Sequence, residues 1–148
     1  MERAEGKGLW SNGYGQDLGA KWFGGNARGS GVTAASRHGN NGAAVIDSQY
    51  IYAPAGGHNG ASLVCLEKRT GKVVWKSGSD YAAYAGLMLG ELTGVKQVVM
   101  LTASNLTGFS AKDGKTLWSV PAKSGAARNI VTPILHGDKI GRAPRRAR

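Results

Sequence analysis

Short apolar runs of about four to six residues recur along the chain from residue 43, separated by turn residues such as Gly, Asp, Asn, Ser and Pro. Runs of this length and punctuation are the pattern of β-strands rather than of helices. Strands are predicted at 43–46, 50–53, 63–67 and 73–76, and again at 87–92, 97–102, 106–110 and 116–120. A further strand is predicted at 130–135, turning at Gly137-Asp138-Lys139. The connections are turns at 47–49, 68–72, 93–96 and 111–115 and a longer loop at 54–60. Runs such as QVVML and NIVTPIL are dense in β-branched residues, which crowd a helix and fit a pleated surface.

One part of this pattern occurs twice. LVCLEKRTGKVVWKS at 63–77 and LTGFSAKDGKTLWSV at 106–120 superimpose at an offset of 43, bringing Gly71 onto Gly114, Lys72 onto Lys115 and Trp75 onto Trp118. Each copy is a strand, a tight turn and a second strand ending in Trp. A hairpin cannot bury its apolar face alone, so a hairpin repeated at this interval predicts neighbouring four-stranded blades. The fold class expected is all-β, a partial β-propeller with two complete antiparallel blades and partial blades on both sides. Closed propellers typically have about four to eight blades, so the chain is expected to be a piece of a larger ring. Residues 1–41 form a loop-rich segment, 42–140 the blades and 141–148 a basic tail. In the first segment 18–23 is the best strand candidate, with Trp22 expected to end an earlier blade; its distance of 53 from Trp75 requires an insertion, supplied by the polar loop 24–41.

Composition sharpens this in three places. Gly supplies 24 of 148 residues, about twice ordinary usage, as many tight turns require. The net charge of +10 invites a nucleic-acid reading, but GRAPRRAR at 141–148 carries four arginines and no acid; without it 15 basic residues face 9 acidic ones, spread over turns. The abrupt change of composition there reads as a frame error or truncated gene, with a genuine basic arm as the alternative. Cys65 is the single cysteine, inside an apolar strand, and is expected to be a small buried hydrophobe. No stretch has signal-peptide or membrane-span length.

The residues that repeat also carry a resemblance. Thr70-Gly71-Lys72 leading to Trp75, and Asp113-Gly114-Lys115 leading to Trp118, resemble the tryptophan-docking motif of the pyrroloquinoline-quinone (PQQ)-like β-propellers. The Ala and Asp that head the motif are replaced in both copies, in Cys65-Leu66-Glu67 and Gly108-Phe109-Ser110. GVKQVVMLTA, AKDGKTLW and TPILHGDKI are similar to bacterial repeat proteins related to the outer-membrane assembly lipoprotein propeller. The resemblance covers 42–140 well and the earlier residues poorly. It implies that each docking Trp packs flat against the turn of the next motif, tying blade to blade. It implies a periplasmic or cell-envelope address. It leaves two functional classes open, a non-catalytic protein-binding scaffold and a PQQ-dependent quinoprotein dehydrogenase that would hold PQQ and Ca²⁺.

Candidate chemistry favours the scaffold. His38, His58 and His136 share no short metal-ligand spacing and lie beside glycines, as solvated turn residues do. Asn12, Asn26, Asn40, Asn41 and Asn59 suit turns as well as they suit a polar funnel. The stretch 24–31 lacks the Gly-Lys-Ser/Thr ending of a phosphate loop. Asp17, Asp47, Asp80, Asp113 and Asp138 fall mostly in turns, without the clustering a Ca²⁺ ion needs. No catalytic, cofactor-binding or metal-binding residue is therefore assigned, no cofactor is expected in these blades, and the expected partners are other proteins or missing blades of the same propeller, with nucleic acid third.

Overall fold

A computed structural model describes residues 8–19, 42–57, 59–122 and 129–141. These residues form three antiparallel sheets and contain no helix. The first sheet has strands β1 (Val45–Ile46), β2 (Tyr50–Ala53), β3 (Leu63–Glu67) and β4 (Val73–Ser77), in that spatial order. The second has β5 (Met88–Leu92), β6 (Val95–Leu101), β7 (Asn105–Ser110) and β8 (Thr116–Pro121), again in chain order. A hairpin of β9 (Ile134–His136) and β10 (Lys139–Gly141) follows.

The outer hairpins of the two sheets are built alike. Gly71 N–H donates to the Glu67 carbonyl and Gly114 N–H to that of Ser110, each at 2.9 Å. Glu67 N–H reaches the Lys72 carbonyl and Ser110 N–H that of Lys115, each at 2.8 Å. Thr70 and Asp113 do one job in the two turns, their side-chain oxygens accepting from Lys72 N–H and Lys115 N–H at 3.2 Å. Gly71 and Gly114 have φ of 70° and 73°, the left-handed conformation that the turn demands of them. Pairing then slips between Cys65 and Leu66 in one sheet and between Gly108 and Phe109 in the other. The slip leaves Val74 and Leu117 as the extra residues of equivalent bulges, 48% and 41% exposed, and sets Trp75 opposite Cys65 and Trp118 opposite Gly108.

The 43-residue offset holds only for these outer hairpins. Tyr50 pairs with Glu67 and Gln97 with Ser110, so the second strands stand 47 residues apart. The difference is absorbed between β2 and β3, where a nine-residue connection in the first sheet faces a three-residue one in the second.

Three expected strands differ in extent by two residues or more, each for a local reason. β6 begins at Val95 because the preceding turn is only Thr93-Gly94, both at positive φ (49° and 75°). β1 begins at Val45 because the Ala43 carbonyl is taken by Leu87 N–H from the second sheet at 3.0 Å. β9 begins only at Ile134: Pro133 has no N–H to offer a ladder, and 129–132 tie down the second sheet instead. There Asn129 Nδ2–H donates to the Thr102 and Ala122 carbonyls at 2.8 Å, and Gly86 N–H donates to Thr132 Oγ1 at 3.0 Å. Of the strand expected at 18–23, Leu18 and Gly19 are described and lie in no strand; Trp22 is outside the described residues.

The sheets stack face to face, with β1 beside β5 and β5 beside β9. Between the first two lies a core of Tyr52, Leu63, Cys65, Leu87, Val98, Met100 and Phe109. The far face of the second sheet, with Val99, Leu101 and Leu106, is partly covered by Leu135 and Ile140 of the last hairpin. The far face of the first, with Val64 and Leu66, is covered by Trp10, Tyr14 and Leu18.

Candidate functional site

The chemistry-bearing side chains gather at the joints between these layers. At the joint between the sheets, the Trp75 indole lies on the turn of the next repeat, so close that a Cβ built on Gly114 would sit 2.5 Å from Trp75 Cε3. The joint before it has the same construction with an unexpected donor. Trp10 supplies the indole: a Cβ on Gly71 would meet its Cδ2 and Cε3 at 2.5 Å, and its Nε1–H donates to the Lys68 carbonyl at 3.0 Å. Asn12 adds a bond from Nδ2–H to the Gly71 carbonyl at 2.7 Å. The contact was hidden in the sequence because the residues around Trp10 lack strand alternation and approach along no repeat interval.

The third indole, Trp118, has no turn glycine over it among the described residues. It lies against Gly108 of its own sheet, where a Cβ would clash at 2.3 Å, and its Nε1–H donates to Gln97 Oε1 at 2.8 Å. Beside it is a cavity of roughly 380 Å³ lined by Leu92, Leu106, Val120, Asp138 and Ile140 among others.

Two carboxylates act as hubs. Asp47 caps its own turn, accepting from Gln49 N–H and Tyr50 N–H at Oδ1, and crosses to the second sheet through an ion pair with Lys96 at 2.6 Å. Burial pushes its carboxyl up, but Lys96 and the two backbone donors outweigh that and hold it at about 2. The Tyr52 hydroxyl lies 3.2 Å from Asp47 Oδ2 and 3.4 Å from the Ala111 carbonyl; burial and then the Asp47 charge raise its pKa. Ala111 stands where Lys68 stands in the earlier repeat, so Tyr52 sits at the acceptor that the Trp75 indole would use, and Trp75 Nε1–H is buried with no partner among the described residues. Cys65 is buried here, its thiol pushed up to about 12 by burial and the Asp47 charge.

Asp80 is the second hub, on the linker between the sheets. Its Oδ2 accepts from Thr102 Oγ1–H at 2.5 Å, Asn105 Nδ2–H at 3.0 Å and Ser104 N–H at 3.1 Å, while Ser62 Oγ bonds its backbone. A calcium ion needs about six to eight oxygen ligands; the oxygens of Asp47 and Asp80 are committed to N–H, O–H and ammonium donors, and among the described residues no three His, Cys, Asp or Glu come together. These donor sets do not fit Ca²⁺. Of the other candidates, His136 and Asn59 are exposed and Asn12 bonds the Gly71 turn. His38, His58, Asn26, Asn40, Asn41 and the stretch 24–31 lie outside the described residues.

Four-stranded antiparallel sheets, stacked with their first strands adjacent and joined by an indole set on a turn glycine, define a run of β-propeller blades. The family model described as outer membrane protein assembly factor BamB matches residues 1–141, taking in the N-terminal segment as well as the blades. The chain belongs to that family of PQQ-like repeat proteins. No curated protein and no solved structure matches it. No helix among the described residues is long and apolar enough to cross a membrane.

Proposed function

We propose that the chain is part of a non-catalytic β-propeller that holds other proteins, as the assembly-factor description of its family suggests, in a bacterial cell envelope. The observation that carries this reading is where the reactive groups are used. Asp47, Asp80 and Cys65 are committed to joints between blades, and the Trp10 and Trp75 indoles pack on turns. In this reading Trp10 and Trp75 are docking residues of the kind the resemblance implies, and the blades need no cofactor.

The test is cross-linking in the host cell, with photoreactive groups placed on the exposed bulge residues Val74 and Leu117 and the adducts identified by mass spectrometry. The reading expects adducts with proteins of outer-membrane assembly, and a loss of folded outer-membrane proteins when the gene is disrupted. Dye-linked alcohol oxidation on addition of PQQ and Ca²⁺ to the purified chain would overturn it in favour of a quinoprotein dehydrogenase.

A further inference from the structure

The first and third connections of each four-stranded meander return to the same side, so the turns 47–49, 68–72, 93–94 and 111–115 lie at one end of the two sheets. Three bonds lace them into one surface: Lys68 N–H to the Gln49 carbonyl at 2.9 Å, Ala111 N–H to the Lys96 carbonyl at 3.0 Å, and the Asp47–Lys96 ion pair between the sheets. The sheets meet through their faces, so a blade added on either side leaves these strand ends uncovered. Two hollows of roughly 660 and 480 Å³ lie here. The larger is bounded by Glu67, Lys68 and Arg69, the smaller by Lys96 and Lys112 of the second sheet, and Ser48, Gln49 and Tyr50 line both. They form one trough across the end of the first sheet and over its joint with the second. Its middle is apolar, with half-buried Tyr50 and exposed Val95. Its ends are cationic: Lys68, Arg69 and Lys112 are exposed and form no ion pair among the described residues. The two carboxylates in the lining are committed, Asp47 to Lys96 and Glu67 to Thr70 Oγ1–H at 2.5 Å. Asp113, next to Lys112 in the chain, accepts from Lys115 N–H within its own turn.

We infer that this trough takes an acidic segment of a partner protein, with carboxylates on both sides of one large apolar residue. The carboxylates meet Lys68 and Arg69 at one end and Lys112 at the other, while the apolar side chain lies on Tyr50 and Val95. The charge pattern selects the class of partner. A polyphosphate chain would carry charge along the whole trough, over the apolar middle and against the Asp47 and Glu67 carboxylates, where like charge is repelled. A peptide can leave that stretch neutral. Arg69 suits a carboxylate further, since its planar guanidinium can donate two parallel bonds to one. Arg69 and Lys112 also hold the same place in the two repeats, at the offset of 43, so an extended segment finds a cation on each blade that it crosses. The inference rests on reading the chain as a propeller that holds other proteins, and it adds the surface and the chemistry of one of them.

The experiment is fluorescence anisotropy of a dye-labelled peptide, Gly-Glu-Asp-Phe-Asp-Glu-Gly, titrated with the full chain at low salt. Saturable binding is expected, and added salt should weaken it as it screens exposed ion pairs. Arg69→Gln and Lys112→Gln should each lower the affinity about two- to fivefold, the worth of one exposed ion pair. Lys139→Gln removes an equal charge outside the trough and should leave the affinity unchanged. Replacing the peptide's Phe by Gly, with the protein untouched, should also weaken binding. A variant carrying Arg69→Glu and Lys112→Glu, with the circular dichroism of wild type, should release the acidic peptide and gain affinity for Gly-Lys-Lys-Phe-Lys-Lys-Gly, which loss of charge alone does not produce. Absence of saturable binding to the wild-type chain overturns the inference. So does affinity that ignores Arg69→Gln and Lys112→Gln, as binding by the arginines of 141–148 would, or that falls equally with Lys139→Gln. Indifference to the Phe, or inorganic polyphosphate losing affinity on the same two changes as the peptide does, would mark a general anion surface and overturn it as well. Each of these leaves the scaffold reading standing, since that fails on cross-linking from Val74 and Leu117 and on alcohol oxidation instead.

Discussion

The joint between the sheets makes a quantitative prediction, because the structure contains its own control. Gly114→Ala meets two separate obstacles. The backbone at φ 73° disfavours any Cβ, a cost of about 1 kcal/mol. The new methyl would also lie 2.5, 2.8 and 2.9 Å from three ring atoms of Trp75, a rigid neighbour that yields only by moving as a whole. An indole buries roughly 150–250 Å², so displacing a third to a half of that contact at about 25 cal/mol per Å² costs a further 1–3 kcal/mol. Gly94→Ala carries the first cost alone: φ is 75°, and a Cβ there finds nothing within 4 Å. The expected losses of stability are therefore about 1 kcal/mol for Gly94→Ala and about 2–4 kcal/mol for Gly114→Ala. Denaturant unfolding followed by tryptophan fluorescence measures both, with Gly71→Ala expected to behave like Gly114→Ala because Trp10 lies equally close. Equal losses at positions 94 and 114 would refute the claim that the indole contact, rather than turn conformation, joins the blades.

Three other outcomes follow from the joints. Asp47 is held below its ordinary value of 3.8, at about 2, so its contribution is complete above pH 4 and lost as pH falls towards 2. With Lys96 half-exposed that contribution is on the order of 1 kcal/mol, and acid titration of Asp47→Asn should lack this step. Cys65, buried and with its thiol raised to about 12, should resist alkylation near neutral pH until the first two sheets separate, so labelling kinetics report that opening. Asn129→Ala strips the Thr102 and Ala122 carbonyls of a buried donor and should cost about 1–3 kcal/mol in thermal or denaturant unfolding.

Legibility in the sequence followed how local the determining physics is. The bounds of β2 and β3 coincide with the apolar runs YIYA and LVCLE, since each run ends at its own turn residues. Gly71 and Gly114 were legible for the same reason. Residues whose role depends on a distant partner were not: Trp10 lies 61 positions from Gly71, and Asp80 meets Thr102 and Asn105 only after the sheets stack. Between these extremes stands 130–135, whose apolar content suits a strand while Pro133 and the bonds of Asn129 and Thr132 commit most of it to a linker. Thr93 is a further case, a β-branched residue at φ 49° that turn statistics disfavour; its N–H donates to Asp138 Oδ1 at 3.1 Å and its hydroxyl to the Leu92 carbonyl at 2.7 Å.

The unequal connections between the second and third strands bear on how such a chain can change over generations. Insertion or deletion there shifts every later residue along the gene, yet leaves the Gly-Lys turn and its Trp at fixed separation, because both lie on the far side of the change. The first repeat carries its longer connection at no cost to the outer hairpin: the bulge, both turn hydrogen bonds and the glycine conformation are the same in the two copies. Within the longer connection Ala55, Ala61 and Ser62 are buried and Ser62 bonds the Asp80 backbone, so new length and new side chains fit at the tip around Asn59 and Gly60, and lineages of this repeat should differ most there while the spacing from Gly71 to Trp75 stays constant.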